Sequence, residues 1–93
     1  MYARVVRFSL GPGKRDIAQA LADDLAPRIS ERPGCEKVVV FGGDDGECGI
    51  FVLWDSQADA DAASQVIRPM LDRHLSGHLG SPPDARLFEV LAQ

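Results

Sequence analysis

Two apolar runs close together constrain this chain more than any other feature. Val38, Val39, Val40 and Phe41 form one run, and Ile50, Phe51, Val52, Leu53 and Trp54 the other. Between them Gly42, Gly43, Asp44, Asp45 and Gly46 supply turn chemistry, so residues 36–55 read as a β-hairpin. Successive strand side chains point to opposite faces, and runs without polar alternation therefore put apolar groups on both. A chain of 93 residues has too little material to cover both sides of its own sheet. Helices are expected over one face and a second copy of the chain over the other.

The flanking segments supply those helices. Tyr2 to Leu10 reads as a strand with a period of two, its two faces each carrying an arginine, Arg4 and Arg7. GlyProGly at 11–13 ends it. From Lys14 to Glu31 the apolar residues Ile17, Leu21, Leu25 and Ile29 recur at helical spacing. Asp16 suits the positive end of that helix and Arg28 the negative one, and ArgProGly at 32–34 stops it. After the hairpin Ser56 is placed to cap a second helix, with Asp59 three residues on. Ala62, Ala63, Val66, Ile67, Met70 and Leu71 form its apolar side, and Pro69 predicts a bend or break. Arg86 to Leu91 reads as the last strand. The order β-α-β-β-α-β predicts one α+β domain over 1–93: a ferredoxin-like, four-stranded antiparallel sheet with two helices on one face.

Many functions share that topology, so function has to come from particular residues. The net charge of −4, without a basic stripe, argues against nucleic acid as a partner. The apolar runs are too short to span a membrane, and arginines interrupt the first of them, so it does not read as a signal peptide. A cytoplasmic protein is expected. A metal-carrier domain needs a CxxC after the first strand, where GlyProGlyLys stands instead. Cys35 and Cys48 fall near opposite ends of the hairpin, too far apart for a disulfide, and read as packed thiols. His74 and His78 are four apart, but no further ligand completes a set and no metal is expected.

The motifs ProGlyLys at 12–14, ProGlyCys at 33–35 and LeuTrpAspSerGlnAlaAspAlaAsp at 53–61 resemble, in order and spacing, the antibiotic biosynthesis monooxygenase-like family. The resemblance covers nearly the whole chain. It implies a dimeric α+β barrel, a homodimer made by packing two open sheet faces together. Some members oxidise polycyclic aromatic compounds with molecular oxygen and no cofactor, in a pocket between sheet and helices. Others degrade haem with an Asn on strand one, a Trp in helix two and a His ligand. This chain contains no Asn, and its only tryptophan, Trp54, lies on a strand.

The resemblance thus implies a small aromatic or phenolic ligand, oriented by Trp54, Phe8 or Phe41. His74, a residue type suited to acid–base work, and Arg7 are the expected catalytic groups, stabilising a developing anion. The alternative is a non-catalytic homodimeric binding or accessory domain whose pocket is filled by its own side chains.

Overall fold

Residues 1–93 are described by a computed structural model. The order is β1 (Tyr2–Ser9), α1 (Arg15–Ser30), β2 (Cys35–Gly42), β3 (Glu47–Trp54), α2 (Gln57–Leu75) and β4 (Asp84–Glu89). The strands form one antiparallel sheet in the order β2-β3-β1-β4, so the fold is the ferredoxin-like α+β arrangement. The hairpin register pairs Val40 with Ile50 and Gly42 with Cys48. Cys35 pairs with Trp54 at the other end of the hairpin, and both thiols are free.

The helix-covered face collects Val6 and Phe8 from β1, Val38 and Val40 from β2, and Cys48, Ile50, Val52 and Trp54 from β3. They meet Leu21, Leu25 and Ile29 of α1, three residues of the periodic stripe read from sequence. The other face carries Val5, Val39, Phe41, Phe51, Leu53 and Phe88, with Val39, Phe41 and Phe88 each at least 40% exposed. The sequence expectation of a sheet apolar on both sides is met, and one side lies open. On that side the Phe41 ring covers Gly49, so closely that an added Cβ there would collide with it.

Three local expectations need correction. Helix α2 runs unbroken through Pro69, which lies on its exposed side. There the carbonyl that loses its backbone donor faces water, so the loss is tolerated. The buried stripe of α2 is Ala60, Ala63, Leu71 and Leu75, with Ile67 packed against it, while Val66 is 44% exposed. Strand β4 starts at Asp84, two residues earlier than expected, because its partner β1 pairs from Arg7 back to Tyr2. The cap is as read: Ser56 Oγ accepts a hydrogen bond from the Asp59 amide at 3.1 Å.

Candidate functional site

The period of two on β1 sends its arginines to opposite sides. Arg7 stands on the open face, and its Nη2 donates to Glu47 Oε2 at 3.5 Å. Arg4 points toward α2 with its side chain 20% exposed, and its Nη2 donates to Asp61 Oδ1 at 3.4 Å. That separation is at the long limit of a hydrogen bond. The Nε of Arg4 is shielded from solvent and has no partner at all.

Beside Arg4, between the sheet and α2, lies a cavity of about 160 Å³. Small residues create it. Where α2 crosses β1 and β3 it offers Ala60, Ala63 and Ser64, whose short side chains leave space above the sheet. Val52 and Trp54 form the floor, Ile67 and Leu71 the apolar wall, and Pro83 and Ala85 the edge beside β4. Three polar side chains reach it: Arg4, Ser64 and Arg68. The space between sheet and helix is not packed solid.

A second cavity of about 290 Å³ lies at the far end of the sheet, between the β1–α1 loop and the β2–β3 turn. Phe8, Leu10, Val40 and Cys48 form its apolar wall, and Phe41, Lys14 and Asp44 stand at its edge. It is the larger space, but its chemistry is thin. Asp44 pairs with Arg15 at 3.6 Å on the surface. Burial, and then the neighbouring Glu47 carboxylate, pushes the Cys48 thiol up, which makes it a poorer nucleophile than a free thiol. Burial likewise pushes up Cys35. The smaller cavity, lined by an arginine whose sheltered Nε has no partner, is the better candidate site.

The expected site residues are therefore divided. Trp54 lines the smaller cavity, Phe8 and Phe41 the larger one, and Arg7 and His74 neither. His74 continues the α2 stripe one turn past Leu71, where α2 meets α1, and its Nε2 donates to Asp24 Oδ2 at 2.8 Å. Asp24 also accepts from Arg28 Nε at 2.9 Å. His78 lies beyond the end of α2, so the two histidines share no helical face. From sequence Arg4 reads, like Arg7, first as an ion-paired strand arginine and second as an anion-recognising one, while Arg68 and Ser64 are not singled out at all. The spacing of Ser64 and Arg68 from Ala60 places all three on one side of a helix, a signal from which the two could have been found.

The His74 and Arg28 hydrogen bonds hold the Asp24 carboxyl below the ordinary carboxylate range, His74 contributing most. A depressed carboxylate stabilises the fold above its unfolded value, and the effect is lost as pH falls through the folded value. The wild type is thus expected to lose urea stability below about pH 4 more steeply than Asp24→Asn, and to be the more stable of the two at pH 7. Parallel pH dependences in urea titrations of the two proteins would show that the α1–α2 tie contributes nothing.

With its ferredoxin-like sheet, a two-helix layer on one face and a sheet–helix cavity, the chain has the antibiotic biosynthesis monooxygenase-like fold. Solved structures similar to it span its whole length. Rv0793 from Mycobacterium tuberculosis superposes with a TM-score of 0.80 at 22% identity, covering 99% of this chain and 96% of that one. A Nitrosomonas europaea protein assigned to the antibiotic biosynthesis monooxygenases gives 0.84 at 14% identity, covering 99% and 100%. The monooxygenase from the ActVA-Orf6 gene of Streptomyces coelicolor, solved with nanaomycin D, gives 0.72 at 21% identity, covering 99% and 88%. At these identities the likeness is one of fold. No protein-family model matches the chain, and no curated protein matches it in sequence.

Proposed function

We propose that this chain is a homodimeric, cofactor-independent oxygenase-like protein that acts on a small aromatic or phenolic compound in the cavity beside Trp54. The observation that carries the reading is the cavity itself: a mostly apolar space with an indole on its floor and, on its wall, Arg4, whose shielded Nε has no partner. A phenol or anthrone that loses a proton becomes electron-rich enough to reduce molecular oxygen directly. With an anthrone, the carbanion adds oxygen, the peroxide anion takes up the equivalent of the proton first lost, and the resulting hydroperoxide loses water to leave the quinone. A protein of this kind contributes by holding the ring away from water and placing positive charge beside the developing anion. Trp54 takes the ring contact, and Arg4 takes the anion-stabilising part expected of Arg7, because Arg4 is the arginine at the cavity. The open apolar sheet face and the fold of the neighbouring structures support the dimer.

A second reading, a non-catalytic ligand-binding domain, is favoured by one feature. Arg4, Ser64 and Arg68 are the polar residues at the cavity wall, and none of them is a residue type that ordinarily serves as a general base. An oxygen electrode separates the two readings. Catalysis predicts oxygen uptake with a hydroquinone or anthrone panel, saturable in substrate and slowed about tenfold or more in Arg4→Met. Binding of the same compounds without uptake beyond the buffer rate would sink the enzymatic reading and leave the binding domain.

A further inference from the structure

The charges around the smaller cavity are unbalanced. Two guanidinium groups, Arg4 and Arg68, reach it, while Asp61 is the one acid paired with either. Asp61 is 59% exposed and holds Arg4 only at 3.4 Å through one nitrogen. Arg68 makes no ion pair or side-chain hydrogen bond. The Arg4 Nε–H is sheltered from water with no acceptor, a condition that ordinarily costs free energy and that native proteins rarely tolerate without a purpose. Arg4 also sits in the middle of β1, flanked by Val52 and Leu87, so its stem is fixed by strands on both sides.

We infer that the cavity selects aromatic acids: a small ring carrying a carboxylate. The inference rests on the cavity being the ligand site proposed above. A carboxylate presents two coplanar acceptors, and a guanidinium edge presents two coplanar donors, so the pair can close with two parallel hydrogen bonds. Arg4, a lining residue whose Nε–H has no acceptor, supplies one guanidinium beside the cavity, and Arg68, four residues after Ser64 on α2, supplies a second. The ring then lies among Val52, Trp54, Ile67 and Leu71. The size is suitable, since an apolar cavity of roughly 150 Å³ accommodates benzene and this one is about 160 Å³. A neutral amide of the same shape meets the same walls but presents its NH₂ group to two cations. The carboxylate is therefore the group that distinguishes one ligand from another here.

Trp54 is the only tryptophan and lines the cavity, so its fluorescence reports occupancy. Benzoate and benzamide, equal in size and opposite in this one respect, are the probes. Benzoate is expected to perturb Trp54 with an affinity about tenfold or more above that of benzamide. Its affinity should fall with added salt and drop to the benzamide level in Arg4→Met. Arg68→Gln, at an exposed position, provides the same test without risk to the fold and is expected to lower benzoate affinity by a smaller factor. Equal affinities for the two probes in the wild type would overturn the selectivity for acids while leaving the cavity as a binding site. No response of Trp54 to either probe at millimolar concentration would overturn both the inference and the reading of the cavity on which it rests.

Discussion

Gly46→Ala is expected to remove a large part of the stability of this protein, more than any other glycine substitution. Gly46 has φ +87°, a region in which an alanine costs about 1–2 kcal/mol. Space adds to the conformational cost. A Cβ at Gly46 would collide with the carbonyl oxygen and carbon of Gly11, and these are backbone atoms with no rotamer to escape into. The loop after β1 and the hairpin turn would have to separate, breaking the hydrogen bond from the Leu10 amide to the Gly46 carbonyl at 2.9 Å. One such bond contributes about 1 kcal/mol. Conformation and the lost bond come to roughly 2–3 kcal/mol, and overpacking adds about 1–3 kcal/mol, against a total stability of about 5–15 kcal/mol for a domain. Gly13→Ala separates the two causes, because Gly13 has φ +78° but nothing within 4 Å of its Cβ position. It should lose only the conformational part. Urea titrations giving equal losses for the two variants would mean that the two loops do not touch as described.

That contact shows where sequence reading stops. The hairpin could be read because its information is local: two apolar runs with turn residues between them set both the strands and a register that brings Cys48 opposite Gly42. The first helix could be read because Leu21, Leu25 and Ile29 recur at helical spacing. The approach of Gly46 to Gly11 joins segments far apart in the chain, and nothing in either glycine announces the other. The arginines show the same boundary. A period of two places Arg4 and Arg7 on opposite faces, but local pattern does not say which face the helices will take. That choice sends Arg4 to the cavity and Arg7 to the open side. For His74 the periodicity was informative about direction along the α2 stripe. Where that stripe leaves the cavity and meets Asp24 depends on how α2 crosses α1, which is a property of packing. The cavity is harder still to foresee. It exists because Ala60, Ala63 and Ser64 are short, and small helical residues more often signal close packing than a void.

The second large effect concerns the open sheet face. Phe51→Asp is expected to convert a dimer into a folded monomer. Phe51 sits on a central strand between Val5 of β1 and Val39 of β2, so its ring lies at the middle of the exposed apolar surface. In the isolated protomer that position borders solvent, and a carboxylate there costs the fold little. Within a sheet-to-sheet dimer, the carboxylate introduced in each copy would be taken from water into an apolar layer without a cation directly opposite in its own sheet. Burying an unpaired charge costs several kcal/mol, and a two-fold interface incurs that cost twice. At about 1.4 kcal/mol per tenfold in affinity, the dissociation constant should rise by about a thousandfold or more. Sedimentation velocity at tens of micromolar would then show the wild type as a dimer and Phe51→Asp as a monomer with unchanged far-ultraviolet circular dichroism. Val66→Asp makes the contrast, since Val66 is equally apolar and 44% exposed but lies on the helical side. It should leave the dimer intact. A monomeric wild type would remove the dimer from the proposed function. Dissociation by Val66→Asp but not Phe51→Asp would move the interface to the helices and leave the open sheet without its partner.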